Sequence, residues 1–303
     1  MNNLFLHGRM KFIITVFFAI VAQQIQGMTS SYPGLRQVHP EEGDEWVLVW
    51  SEEFDEEGDV DSTKWRFEEG FVRNHEDQWY SQRNAFCKGG CLVIEADRCD
   101  LINPLYVEGG RDWRTQRERV RYTSASINTR GKYSFLYGRL EVCAAIPVAG
   151  GAWPAIWMLG DEMPWPSCGE IDVMEYYRIN GVPHILANAA WGDDRPAHAV
   201  WNSKRIPFQH FLDKDADWAQ KFHVWRLEWD EKELVFYLDD EELNRIPMES
   251  IRNGRIGKEV NPFNYPQYIL LNLAIGGDNG GTIDDTAFPM YYFVDYVRVY
   301  QKK

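Results

Sequence analysis

The chain has 303 residues, of which 46 are acidic and 32 basic, for a formal charge of −14. A surface of this sign repels nucleic acid and anionic membranes, and it disfavours a heavily sulfated substrate. Aromatic residues make up 15% of the chain and include 13 Trp, whose flat apolar faces suit either sugar rings or the core of a β-sandwich.

Residues 1–27 read as a targeting segment. Arg9 and Lys11 precede the apolar run Phe12 to Ala22, which is too short to span a bilayer, and no acidic residue occurs. Export is expected, and removal of the two cations takes the formal charge from −14 to −16. The first cysteine is Cys87, so no lipid-modified cysteine follows the segment. Residues 28–303 lack a Pro/Ser/Gly-rich linker and an internal repeat, and are read as one catalytic domain that works as a monomer. Cys87, Cys91, Cys99, Cys143 and Cys168 form an odd set; Cys87 and Cys91 flank a turn and are candidates for a bridge, and the spacing does not suit zinc.

The elements follow in chain order. After a polar lead-in, Trp46 to Trp50 is a strand, and Asn74 to Ser81 mixes amides, acids and aromatics as a loop reaching a polar ligand does. Cys91 to Asp97 is a strand, and the Arg-rich stretch from Arg98 to Arg121 reads as a solvated surface loop. Strands are then predicted at Tyr122–Asn128, Tyr133–Ile146, Trp153–Leu159, Glu170–Tyr177 and Ile185–Trp191. Four more follow at Phe222–Trp229, Leu234–Leu238, Tyr268–Ile275 and Phe293–Tyr300. No long segment carries a 3.6-residue period, which points to an antiparallel sandwich of jelly-roll type.

Gly169 to Tyr177 stands apart, because Glu170, Asp172 and Glu175 are separated by apolar side chains. On a helix Glu170 and Glu175 would point about 140° apart. On a regular strand Glu170 and Asp172 share a face and Glu175 falls on the other. A β-bulge at Val173-Met174 absorbs one residue and returns Glu175 to their side. Taken alone, the pattern fits a catalytic carboxylate row, an exposed acidic strand or a calcium-binding rim.

The flanking motifs decide among these. Tyr137-Gly138-Arg139-Leu140-Glu141, then Gly150 to Gly160, then Trp165 to Glu175 closely resemble glycoside hydrolase family 16, in particular its laminarinase-like branch. Asn84 with Leu92 to Ile94, Leu271 to Gly277 and Asp295 to Tyr300 extend the likeness over nearly the whole chain beyond residue 27. The resemblance implies an all-β, concanavalin A-like jelly-roll sandwich with a concave substrate cleft. It makes Glu170 the nucleophile, Glu175 the general acid/base and Asp172 the assisting carboxylate of a retaining endo-β-glucanase with no cofactor for catalysis. It places Trp153 and Trp157 as aromatic platforms and Asn74 and Arg139 as hydrogen-bonding positions for the β-glucan substrate, and Glu53 and Asp295 at a structural calcium site. The sequence departs from many relatives at Cys143, where they carry Arg, at Asn188 to Trp191, where a His is absent, and in the Gly276 to Gly281 loop, which lacks a Trp. Trp191, Trp165 and Trp201 are the candidates to replace that ring, with Trp191 taken as substrate-binding. A hydrolase of red-algal galactans, a transglycosylase and a non-catalytic glycan-binding protein are the rival readings.

Overall fold

The computed structural model describes residues 45–303; the expected targeting segment 1–27 lies outside them. In chain order the strands are β1 (Trp46–Glu52), β2 (Arg66–Phe67), β3 (Gln78–Tyr80), β4 (Ala85–Lys88), β5 (Cys91–Ile102), β6 (Arg119–Ser124), β7 (Ser126–Asn128), β8 (Gly138–Ala145) and β9 (Ala152–Gly160). They continue as β10 (Glu170–Ile179), β11 (Val182–Gly192), β12 (Ala199–Pro207), β13 (His223–Trp229), β14 (Glu233–Leu238), β15 (Glu241–Pro247), β16 (Gln267–Ile275) and β17 (Met290–Lys302).

Two sheets result. One has ten strands, ordered β15-β14-β13-β8-β17-β5-β6-β3 with β1 added on β17 and β4 on β5. The other has seven, ordered β12-β11-β10-β9-β16-β7-β2. Period-2 alternation decides which face is buried. In β8, Leu140, Val142 and Ala144 join the core between the sheets, whereas Cys143 and Ala145 belong to a separate apolar cluster with Cys91 and Phe293. The core takes Trp65, Trp225 and Trp229, all at most 1% exposed, so much of the aromatic content is packing. Each such burial stabilises by roughly 1.5–3 kcal/mol.

The two flanks of the suspected disulfide end on opposite faces. Cys87 packs in the sandwich core and Cys91 in the outer cluster, and all five thiols are unbridged. The Arg-rich stretch also departs from expectation. β5 runs on to Ile102 and β6 starts at Arg119, and between them a single turn of helix, α1 (Trp113–Gln116), lies against residues 71–77.

Candidate active site

The seven-stranded sheet carries a cleft of about 590 Å³ lined by Glu170, Asp172 and Glu175. How β10 delivers all three follows from its register. Against β11, Asp172 pairs with Asn188 and Glu175 with Leu186, so three steps on β10 match two on its neighbour. Against β9, Asp172 pairs with Trp157 and Met174 with Ile156. The extra residue is absorbed in between: Val173 and Met174 both point into the core, each fully buried, and the carboxyls stay on the cleft side. Gly169, immediately before β10, has φ +79, and a Cβ there would lie 2.8 Å from Phe263 Cε1, so both backbone conformation and space demand glycine.

Burial and hydrogen bonds give the three carboxyls different characters. Trp165 Nε1 donates to Glu170 Oε2 at 2.5 Å, and Trp153 Nε1 donates to Glu175 Oε1 at 3.0 Å. Asn188 Nδ2 bridges Asp172 Oδ2 at 3.2 Å and Glu175 Oε2 at 3.0 Å. Burial raises Glu175 to about 7, opposed by the Trp153 hydrogen bond and reinforced by repulsion from Glu170. Asp172 is raised well above the carboxylate range, by burial first and then by Glu175 and Glu170. Glu170 is raised by burial but drawn down by the Trp165 hydrogen bond and by Arg73. Mutual repulsion therefore contributes to the upward shifts of Asp172 and Glu175, but desolvation is the largest cause in all three groups. Asp172, hydrogen-bonded to Glu170, is the group best placed to remain neutral and donate to it.

Distant segments build the walls. On β9, Trp153 meets Tyr177 edge-on at 5.7 Å. Trp157 Nε1 donates to Asn272 Oδ1 on β16 at 2.7 Å, and Asn272 Nδ2 donates to the Tyr80 hydroxyl at 3.0 Å. Residues 71–77 bring Arg73, Asn74 and Glu76, while β12 brings Trp201, Ser203 and Arg205. The Arg73 guanidinium lies 5.1 Å from the Trp157 ring and covers one of its faces. Trp165 and Trp201 are each 46% exposed and are the open aromatic faces at the cleft.

Two arginines of the supposedly solvated stretch hold the 71–77 loop. Arg114 donates to the Phe71 and Val72 carbonyls at 3.0 and 2.6 Å, and Arg117 donates to those of Glu76 and His75 at 2.6 and 2.7 Å. Gly277 completes the seat: its φ is +62, and a Cβ would come within 2.7 Å of the Asn74 carbonyl oxygen. Arg117→Ala removes two charge-assisted hydrogen bonds, so KM is expected to rise about tenfold with kcat changed less than about threefold. Initial-rate kinetics with limited proteolysis of the loop checks this; an unchanged KM and an intact loop would contradict it.

Of the residues singled out from sequence, Glu170, Asp172, Glu175, Asn74, Trp153 and Trp157 line the cleft. Arg139 does not. It lies on β8 next to inward Leu140, so it faces outward, donates to Glu228 Oε1 at 2.9 Å and packs over Trp46. Trp191 is also corrected: Ala187, Ala189 and Trp191 point into the core, and Asn188 between them faces the carboxyls. At the expected calcium site, Arg298 Nε and Nη2 donate to Glu53 Oε1 and Oε2 at 3.0 and 2.8 Å, so a guanidinium already occupies the oxygens a cation needs. Among the described residues no group of three or more His, Cys, Asp or Glu is placed to hold a metal ion.

Sequence reasoning missed Arg73, Glu76, Asn272, Ser203 and Arg205 as cleft residues. Glu76 was within reach, since the Asn74 to Ser81 loop already read as polar and ligand-facing. β12 carried no alternation to announce it, because it is an edge strand half-exposed along its length.

A β-sandwich that buries three neighbouring carboxyls at the floor of an open cleft defines a glycoside-cleaving enzyme. Residues 73–297 match the model described as glycosyl hydrolases family 16; the chain belongs to that family and is a glycosyl hydrolase. It is 36% identical over 274 residues to a beta-glucanase of Rhodothermus marinus, covering 84% of this chain and 85% of that one. It also resembles the catalytic domain of an endo-1,3-beta-glucanase (laminarinase) from Thermotoga petrophila, with a TM-score of 0.68 and 33% identity over 85% of this chain and 98% of that one. A structure from work on endo-acting O-glycanases, expressed by prominent members of the human gut microbiota to initiate mucin breakdown, gives a TM-score of 0.75. Its identity is 31%, over 86% of this chain and 93% of that one.

Proposed function

We propose that the protein is an exported, retaining endo-β-glucanase that cuts internal β-1,3 bonds in laminarin-type glucan and linkages in mixed β-1,3/1,4-glucan. The observation that carries this reading is the bulge in β10, which sets Glu175 on the cleft face with Glu170 and Asp172. Likeness to the Rhodothermus and Thermotoga glucanases supports the glucan, and the pattern of residues 1–27 supports export.

Glu170 attacks the anomeric carbon as Glu175 protonates the departing glycosidic oxygen, leaving a glycosyl ester on Glu170. The ester removes the charge of Glu170, so Glu175 loses a repulsive neighbour and its pKa falls. It then takes a proton from the water that attacks the ester, and the anomeric configuration is retained. Asp172 donates to Glu170 while its charge comes and goes. Trp165 and Trp201 offer open aromatic faces for sugar rings, and Asn74 and Trp153 bound the site of cleavage.

A second reading, an endo-acting glycanase of mucin O-glycans, is favoured by the TM-score of 0.75. The two readings share the carboxyls and differ in the sugars that the walls accept. Incubation with laminarin, mixed-linkage β-glucan, agarose, porphyran, carrageenan and mucin O-glycans, followed by product sizing, separates them. Series of short glucan oligosaccharides are expected, with the β-anomer appearing first by NMR. Products from mucin or red-algal galactans alone would overturn the glucan assignment.

A further inference from the structure

We propose that Asn188 is a positioning residue that ties the assisting carboxylate Asp172 to the acid/base Glu175 and keeps the two oxygens facing it, Asp172 Oδ2 and Glu175 Oε2, free of protons. The inference rests on the carboxylate roles above and adds the group that couples two of them.

Alternation along β11 sets this side chain. Ala187 and Ala189 point into the core, so Asn188 between them faces the cleft, opposite Asp172 on β10 and Ser203 on β12. Because β10 takes three steps from Asp172 to Glu175 where β11 takes two, Glu175 comes opposite Leu186, two positions from Asn188. One short amide therefore reaches both carboxyls: its Nδ2 stands 3.2 Å from Asp172 Oδ2 and 3.0 Å from Glu175 Oε2. Asn188 is 2% exposed, and its Oδ1 is buried with no hydrogen-bond partner among the described residues. An unpartnered buried oxygen weighs against the fold, so scaffolding does not account for an amide at this position.

The direction of the bonds follows from what each group can give. An amide nitrogen brings two protons and accepts none, so both oxygens that it touches must accept. Turned over, the amide would set its own oxygen against the two carboxyls, and each would have to bring a proton to that contact. On Glu175, Trp153 Nε1 donates to Oε1 and Asn188 to Oε2, so the carboxylate left after proton transfer to the glycosidic oxygen meets two donors already in place. On Asp172, Oδ2 is taken by Asn188, so a proton carried by Asp172 belongs on Oδ1.

Other groups of the cleft do not duplicate this role. Glu170 and Tyr177 come from β10, Arg205 from β12, and Arg73 and Glu76 from the facing loop. His184 on β11 stands opposite Tyr177 and holds the Val182 carbonyl. The turn at residues 277–280 brings Asn279, while its Asp278 pairs with His75. From β9 and β16 come Trp153, Trp157 and Asn272, none of which titrates. Glu175 itself hydrogen-bonds to Trp153, Asn188 and Asp172. Loss of Asn188 removes a donor that favours the ionised form, so Glu175 should keep its proton to higher pH.

The test uses Asn188→Leu, which keeps the shape of the amide without its donors, and Asn188→Ala, both in the full chain. kcat/KM is measured against pH on a substrate the wild type cleaves. In both variants the alkaline limb should move up by on the order of one pH unit, with kcat lower by about tenfold and KM changed less than about threefold. A leucine variant with an unmoved alkaline limb, or with only a raised KM, would overturn the proposal, because packing alone would then explain the residue. Nitrogen-15 NMR of the wild type gives a second readout. The side-chain amide of Asn188, assigned through its backbone, should shift with a midpoint at about 7 as Glu175 ionises, and Glu175→Gln should abolish the shift. A wild-type amide that stays unchanged between about pH 5 and pH 9, or one that titrates alike in Glu175→Gln, would refute the proposal even if the leucine variant fails to fold. The NMR needs no substrate, so failure to cut glucan would sink the substrate assignment without touching this result.

Discussion

Glu170→Ala is expected to lower kcat on laminarin by about 10⁴-fold or more, because the covalent intermediate can no longer form and the remaining groups supply only binding and acid assistance. The variant should keep its fold. Glu170 sits at the cleft floor and not in the apolar core, and its hydrogen bonds come from Trp165, a half-exposed ring, and from the neighbouring Asp172. Reducing-end release gives the rate, near-ultraviolet circular dichroism the fold, and calorimetry with a laminarin oligosaccharide the retained binding. Turnover within tenfold of the wild type would remove Glu170 from the nucleophile's place.

Glu175→Gln should have the second largest effect, and its signature lies in pH and leaving group. Polysaccharide hydrolysis should fall by about 10²–10⁴-fold. An aryl glycoside whose phenol needs no protonation should still release its first equivalent of phenol. In the wild type Glu175 must be protonated to act, so activity falls as pH rises through about 7, and this alkaline limb should vanish in the variant. The sign for stability follows from the same group. Its pKa is raised in the folded state from 4.5 to about 7, so its contribution is fully present below pH 4.5 and is lost as pH rises through about 7. The glutamine variant escapes that loss. Its stability relative to wild type should therefore improve by on the order of 3 kcal/mol between pH 4.5 and pH 8. Urea melts at the two values test this, and parallel losses in both proteins would show that Glu175 is not the buried acid described here.

The catalytic strand was legible because its logic is local. Three carboxyls spaced two and three apart can share one face of a strand only if a residue is absorbed between them, and Val173 and Met174 are apolar enough to be that residue. Two misplacements came from trusting motif position over alternation. Leu140, Val142 and Ala144 already point inward, which sends Arg139 outward to Glu228 in register on β13. Likewise Ala187, Ala189 and Trp191 share one face, and the cleft residue is the Asn188 between them. Arg114 and Arg117 were illegible, because nothing near them in the chain says that their partners are the carbonyls of residues 71–76, about forty positions earlier.

The sequence by itself determined the sandwich, through period-2 patterning, and the row Glu170, Asp172 and Glu175, through spacing that only a bulged strand satisfies. Only the tertiary structure decided the walls and the charges. Sheet order brings β12 and β16 to the same cleft, the Arg114 and Arg117 hydrogen bonds hold residues 71–77 over it, and burial, which exists only once those segments have met, raises Glu175 to about 7. Side-chain direction repeats every two residues and can be read along the chain; desolvation depends on which distant segments exclude water, and no local period records it.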